Sequence, residues 1–218
     1  ILLAELCHAH QQRQHWHSLI AQEVLAEPEL LSIVRLCGVR EIVAFALGAF
    51  VGDIQRFANP KKLVKYVGLN PAFDDSGESE WSGGIGGHGH KLLRSLLIEG
   101  AQAILRAGKS PLARWGKKLL AAKGSVNLAV AAIARKLTVA VWYLMMGRWT
   151  ALHEIDARLL TKVSKMIGSV GPQGLQSLGK NRKTYREIHN ESRRTQSEPV
   201  HANRGMPNWL DPSVPSSL

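Results

Sequence analysis

Ser76 followed by Gly77 is the pair in this sequence whose residue types best suit catalysis. A serine in a flexible turn can present its hydroxyl as a nucleophile, while nearby backbone amides stabilise the developing oxyanion. The residue two positions before the serine is Asp74, so the G-x-S-x-G elbow of α/β-hydrolases is absent. The pair therefore predicts either a nucleophile of another kind or an ordinary Ser-Gly turn.

Four carboxylates surround this serine, at Asp74, Asp75, Glu78 and Glu80. Carboxylate oxygens are the ligands that magnesium prefers. All four come from one loop, however, and no second segment supplies further ligands. Two interpretations stay open: a solvated acidic turn, and a magnesium nuclease that would need acidic ligands from elsewhere.

A glycine-rich stretch follows, and it leads into a basic segment. Glycine allows positive φ and a close approach of the backbone to a ligand, so Gly84 and its neighbours suit contact with a nucleic-acid backbone. No G-K-[ST] sequence follows, which excludes the usual phosphate-binding loop of nucleotide enzymes. His88, Lys91 and Arg94 come next, at the expected start of a helix. Cations are unfavourable at a helix N-terminus, so a bound polyanion or solvent screening must offset their cost.

The segment before the serine is expected to form a lysine-bearing helix. Asn59 and Pro60 are typical of an N-cap and first helical position, and Gly68 is typical of a helix end. The intervening lysines either grip a phosphate backbone or form a solvated face; they are Lys61, Lys62 and Lys65. The chain as a whole carries 28 basic and 17 acidic residues, a net charge of +11, which favours polyanion partners.

Two helices around Gly38 are a candidate helix-hairpin-helix unit. One is expected from Pro28 to Gly38 and the next over 39–50. The amides of such a hairpin can hold a DNA phosphate. Arg40 occupies the position where the usual hairpin has a second glycine, and it supplies a phosphate-seeking charge. A plain αα-corner is the alternative.

These patterns predict a mainly α fold class, a compact helical domain with a short glycine-rich loop or hairpin. Residues 1–27 are expected to form a coiled-coil helix, which makes a homo-oligomer the expected state. Residues 28–170 would form the helical domain, and 171–218, poor in large apolar side chains, a largely disordered tail. The apolar run 126–146 contains Arg135 and Lys136, so it indicates a core helix and no membrane partner. Two cysteines without C-x-x-C spacing fit a cytoplasmic protein.

Several ordered sequence blocks resemble the C-terminal domain of the DEDD-type insertion-sequence transposases, relatives of the Piv invertase described as bridge-RNA-guided serine recombinases. The blocks are L-S-I-V-R-L-C-G-V from Leu31, G-D-I-Q-R-F from Gly52, K-K-L-V-K-Y-V-G-L-N-P from Lys61, Ser76-Gly77, G-G-I with a later G-H and L-R from Gly83, and A-V-A-A-I-A-R-K-L from Ala129.

The resemblance implies DNA transposition or site-specific recombination, with Ser76 forming a phosphoserine link to DNA. It further implies a guide RNA as a candidate partner, and magnesium bound by a separate N-terminal acidic domain that nothing in this chain matches. No cofactor is expected in this chain, and by itself it is expected to be inactive. Ser82 and Gly87 replace basic residues of the family pattern, which removes two phosphate contacts. The alternatives are a non-catalytic DNA-binding module and a decayed transposase remnant.

Overall fold

The computed structural model of the chain describes residues 2–73, 82–85, 88–108, 110–148, 156, 158–181, 183–187 and 190, with the backbone alone for 71–73 and 82–85. The fold class is mainly α, as the sequence predicts. The helices are α1 (Leu2–Ala26), α2 (Pro28–Val34), α3 (Glu41–Val51), α4 (Pro60–Val67), α5 (Lys91–Ala107), α6 (Pro111–Lys123), α7 (Val126–Met145) and α8 (Leu159–Ser177). A 3-10 turn covers Ile54–Arg56, and two strands, β1 (Pro71–Phe73) and β2 (Ser82–Ile85), complete the described elements.

Side-chain caps fix where the central helices begin. The Asn59 side chain accepts a hydrogen bond from the Lys62 amide at 3.1 Å, and Ser110 accepts one from the Ala113 amide at the same distance. Each satisfies an amide that has no partner inside its helix. The predicted N-cap of α4 is therefore confirmed.

Helix α7 is the centre of the hydrophobic core, and it contacts α2, α4, α5 and α6. It is also the one helix among the described residues that is long and apolar enough to cross a membrane, yet most of it is buried inside the protein. Lys136 within it is buried and lies over the Trp115 ring, with its ammonium 4.5 Å from the ring centroid. Burial against four neighbouring helices agrees with the interpretation of this run as a core helix.

Helix α1 is attached to the domain only by its last turns. Ala21, Val24 and Leu25 are buried, and α1 contacts α2, α3 and α8. Apolar residues earlier in the helix are exposed, including Leu6 and Trp16. The helix expected within residues 1–27 is present as α1, while its pairing as a coiled coil stays a prediction.

Packed structure continues beyond residue 170, where the largely disordered tail was expected to begin. Helix α8 runs to Ser177, with a break at Gly171, whose φ is 72°, followed by Pro172. Beyond it, Leu175 is buried, and Tyr185 is 2% exposed and donates its hydroxyl to the Leu25 carbonyl at 3.2 Å. These few apolar contacts with α1 order a segment whose composition alone suggests disorder. The other domain boundaries stay predictions, and 191–218 lie outside the described residues.

The glycine-rich stretch contributes one strand of a two-stranded hairpin. Strands β1 and β2 pair antiparallel, with Pro71 opposite Ile85 and Phe73 opposite Ser82. Gly84 therefore lies in β2. Ser76 and Gly77, together with the acidic residues around them, lie outside the described residues.

Candidate nucleic-acid interface

The three lysines of α4 form one exposed face of that helix. Lys61, Lys62 and Lys65 are exposed, whereas Leu63 and Val64 face the core. An amphipathic helix of this kind holds its cationic side at a fixed position on the surface. The arrangement suits contact with the phosphates of a nucleic acid, and it is compatible with a solvated face as well.

A hydrogen bond joins the end of α4 to the start of α5. The residues before and after the 71–87 segment are therefore close together. The His90 amide donates to the Tyr66 carbonyl at 2.9 Å. Gly68 has a φ of 82° and Gly89 a φ of 105°, and a Cβ on Gly89 would come within 2.5 Å of the Gly68 backbone. Only glycine permits this close approach. The two ends of the segment that carries Ser76 are therefore held together.

Arg94 stabilises the same junction. Its guanidinium donates to the His88 carbonyl at 3.0 Å and to the Gly68 carbonyl at 3.4 Å. In the described structure it therefore braces the backbone, and its predicted contact with DNA stays a prediction. His88 and Lys91 are exposed, which leaves both side chains accessible from solvent.

Arg135, a residue that sequence reasoning did not assign to the site, holds the entrance of the hairpin. From the middle of α7, its guanidinium donates to the carbonyl oxygen of Leu69, two residues before β1. Burial lowers the pKa of Arg135, since the charged form loses hydration. A charged residue within an apolar helix was the signal that could have found it, because a buried charge requires a partner.

The turn between α2 and α3 differs from the prediction, and its carbonyl groups face inward. Helix α2 ends at Val34 and does not reach Gly38. The Lys162 ammonium from α8 binds three carbonyl oxygens of this region, those of Val34 at 3.0 Å, Leu36 at 2.8 Å and Val39 at 2.7 Å. The Val34 carbonyl accepts from Lys162 rather than from the amide of a further helical turn, which explains the early end. The choice between a helix-hairpin-helix and an αα-corner stays open.

Lys162 is a buried cation with a complete set of partners. Its ammonium also lies 2.8 Å from the Asp156 carboxylate, whose side chain is 11% exposed. Burial lowers the pKa of Lys162, and Asp156 opposes that shift. Three carbonyls and one carboxylate compensate for the hydration that the ammonium loses. The residue therefore ties α8 to the α2–α3 turn.

Arg40, predicted to bind DNA, makes an ion pair at the start of α3. Its guanidinium lies 3.0 Å from the carboxylate of Glu41, and the His17 ring on α1 lies 2.9 Å from the same carboxylate. The Glu41 side chain is 3% exposed, whereas that of Arg40 is 56% exposed. A solvated part of the guanidinium is thus available to a phosphate, and the DNA contact of Arg40 stays a prediction.

No three His, Cys, Asp or Glu side chains converge as metal ligands within the part of the chain that the structure describes. The acidic loop from Asp74 to Glu80 lies outside that part. The described residues therefore offer no ligand set that could be tested against magnesium.

Comparisons with known proteins agree with the sequence blocks. Residues 32–115 match the model of the transposase IS116/IS110/IS902 family. The "Transposase for insertion sequence element IS1111A" of Coxiella burnetii is 37% identical over 111 residues, which cover 50% of this chain and 30% of that protein. The "Probable family 20 transposase" of Pseudomonas aeruginosa is 30% identical over 129 residues, 58% of this chain and 38% of that protein. No solved structure matches the chain.

The matched region contains the lysine face of α4, the β-hairpin and the whole of α5. The chain spans about a third of the length of the curated relatives it matches. The resemblance to insertion-sequence transposases is confirmed at the level of this domain. Residues 32–115 of the chain are therefore similar to the transposase IS116/IS110/IS902 family.

Proposed function

We propose that this chain is the DNA-binding serine domain of an insertion-sequence transposase, in which Ser76 attacks a DNA phosphate. The family match carries the proposal, because its 32–115 region includes Ser76 and Gly77. The junction of Tyr66 with His90 supports it, since both ends of the 71–87 segment start from a basic, rigid surface.

The reaction would be a transesterification. The Ser76 hydroxyl oxygen forms a bond to phosphorus while the bond from phosphorus to a deoxyribose oxygen breaks. The serine proton leaves to a base, and the released sugar oxygen takes up a proton. Phosphodiester number is conserved, so no external energy source is needed, and attack by a free sugar hydroxyl on the phosphoserine reverses the exchange. Backbone amides such as that of Gly77 would stabilise the charge on the phosphoryl oxygens.

The basic residues would position the DNA without reading its sequence. Lys61, Lys62 and Lys65 would neutralise phosphates. His88 and Lys91 would add contacts beside the hairpin, and Gly84 in β2 would allow the backbone to approach the DNA closely. Arg40 would add a contact at α3, and Arg94 would act through the Gly68 junction. Magnesium, a guide RNA and assembly through α1 are proposals that depend on the complete transposase, which would act in the cytoplasm.

The test is to trap a covalent protein–DNA adduct in the longest in-frame protein that contains this sequence. A duplex nicked near the scissile phosphate would let the released strand diffuse away and leave the phosphoserine. We expect an adduct at Ser76 by peptide mass spectrometry, its loss in Ser76→Ala, and its retention in the matched control Ser82→Ala. DNA affinity should be unchanged in Ser76→Ala. An adduct that persists in Ser76→Ala would exclude the assignment.

A second candidate function is a DNA-binding module without chemistry. The exposed lysine face of α4 supports this function, because it could bind DNA phosphates without any catalytic residue. This function predicts salt-sensitive DNA binding, reduced by a Lys61→Ala, Lys62→Ala, Lys65→Ala triple variant, with no adduct from any substrate. The adduct experiment therefore separates the two functions.

A further inference from the structure

Four aromatic rings and one arginine are in contact near the junction between α4 and α5, which flanks the 71–87 segment. They form an aromatic–arginine cluster of Phe50, Arg56, Phe57, Tyr66 and His90. The Phe50 and His90 ring centroids are 4.3 Å apart, and those of Phe57 and Tyr66 are 5.3 Å apart. The Arg56 guanidinium lies over both of the latter rings, 4.7 Å from Phe57 and 4.9 Å from Tyr66. The cluster thus gathers residues from α3, the 3-10 turn, α4 and the start of α5.

Hydrogen bonds connect residues of the cluster to the rest of the domain. The Tyr66 hydroxyl donates to the Phe50 carbonyl at 2.9 Å, which fixes the end of α3 against α4. The Trp142 indole, in α7, donates to the Phe57 carbonyl at 3.0 Å. The His90 ring accepts from the Leu93 amide at 3.3 Å, so this ring also caps α5. The Tyr66 and His90 side chains and the Phe57 backbone are therefore held in place by the folded domain.

The outer members of the cluster reach solvent. Phe50 is 39% exposed and Arg56 is exposed, whereas Phe57 is buried and Tyr66 and His90 are partly covered. The charge around them is positive, since the neighbouring helix presents the three α4 lysines. Asp53 is the only acidic residue in the sequence between Val51 and Val67, and its carboxylate accepts the Gln55 amide at 2.8 Å. A partner with flat rings and negative charge fits this surface.

We propose that Phe50 and Arg56 form a stacking platform for one unpaired nucleobase beside the segment that carries Ser76. Aromatic rings and guanidinium planes both stack on the face of any base, and the nearby lysines take the phosphates. The base must be unpaired, because inside a duplex both of its faces are covered by neighbours. Tyr66 and His90 are positioning residues that orient the platform. The inference rests on the proposed function in one respect: strand exchange supplies unpaired bases at the scissile phosphate.

The test uses the 218-residue chain and single-stranded oligonucleotides that carry one 2-aminopurine, whose fluorescence falls when the base stacks. Moving the probe along the strand should locate one position that is quenched on binding. Phe50→Trp should keep the quenching, and Phe50→Leu, which stays apolar but has no ring, should lose it. Affinity for the single strand should fall in Phe50→Leu by about 5- to 150-fold, the range for loss of one base–aromatic stack.

Ile42→Ala is the matched control, because Ile42 lies on the same helix and is 45% exposed. It should leave quenching and affinity unchanged. Thermal melting followed by circular dichroism should show that the Phe50 variants are folded. Equal quenching by wild type and Phe50→Leu, or equal losses in Phe50→Leu and Ile42→Ala, would overturn the platform.

The outcomes also separate this inference from the catalytic proposal. Position-specific quenching without any Ser76 adduct supports the platform in a module that has no chemistry. A Ser76 adduct without quenching at any probe position contradicts the stacking platform and leaves the catalytic proposal intact. A wild-type chain that binds neither single-stranded nor duplex DNA contradicts both.

Discussion

The backbone N–H of His90 donates to the carbonyl oxygen of Tyr66 at 2.9 Å, and this bond helps to join the two ends of the segment that contains Ser76. The two residues lie at the ends of the segment that connects α4 to α5. Bringing them together fixes the two ends of the segment. Function on loops held by a rigid scaffold is a common arrangement in enzymes and binding proteins.

Gly68→Ala should weaken this junction more than a similar substitution elsewhere. A Cβ at Gly68 would overlap the carbonyl oxygen of His88, a backbone atom that cannot move away cheaply. We expect the free energy of unfolding to fall by about 3 kcal/mol or more, from the positive φ and the overlap together. The matched control is Gly124→Ala, with a φ of 68° and open space around it, which should cost about 1 kcal/mol. Urea denaturation measures both, and equal losses would contradict the close approach.

Lys162→Met should destabilise the domain by about 3–5 kcal/mol, because it leaves the Asp156 carboxylate and three carbonyls without their cation. Lys165→Met, on the same helix but exposed, should change the free energy of unfolding by less than about 0.5 kcal/mol. Hydrogen exchange of the 35–39 amides should rise in the first variant only. A Lys162→Met domain as stable as wild type would show that these contacts contribute no net stability.

The Cys37 thiol should react slowly in the folded protein. Burial, and then the negative charge of Asp156, raise its pKa above the usual 9.0. At pH 8 its thiolate fraction is therefore below that of an ordinary thiol, and its alkylation rate should still be rising above pH 9. Cys7 is exposed and should be labelled first. Mass spectrometry after timed treatment with iodoacetamide, with Cys37→Ser to assign the signals, measures both rates, and equal rates for the two thiols would be the contrary result.

Tyr185→Ala should lower the free energy of unfolding by about 3–5 kcal/mol, since Tyr185 is 2% exposed and packs against α1. Tyr185→Phe removes only the hydroxyl that donates to the Leu25 carbonyl, and it should cost about 1 kcal/mol. Glu187→Ala, at an exposed position nearby, is the control. If Tyr185→Ala melts with the wild type, the segment after α8 contributes nothing to the fold.

Features that depend on neighbouring residues could be predicted from the sequence. The Asn59 cap is a side-chain contact to an amide three positions ahead, so residue type and spacing reveal it. The lysine face of α4 follows from the same helical period. The end of α2 could not be predicted, because it depends on Lys162, more than a hundred residues further along the chain.

The candidate site was predicted in the same partial way. His88 and Lys91 lie at the surface beside the hairpin, as their position before and within the first turn of a basic helix suggests. Arg135 reaches Leu69 from another helix, and the aromatic–arginine cluster draws one or two residues from each of four elements. No local pattern marks such a set, since only the packing of α3, α4, α5 and α7 brings it together.

The domain has two kinds of electrostatic contact that respond differently to ionic strength. One is made by the exposed lysines of α4, and the other by the buried ammonium of Lys162. Exposed lysines lose their attraction for phosphates as dissolved ions accumulate around both partners. The turn at Val34–Val39 is held by a cation that belongs to the chain, with carbonyls at 2.7–3.0 Å and little solvent between them. High ionic strength should therefore release a nucleic acid from this protein while leaving the turn in place, so that washing with salt would recover a folded domain ready to bind again.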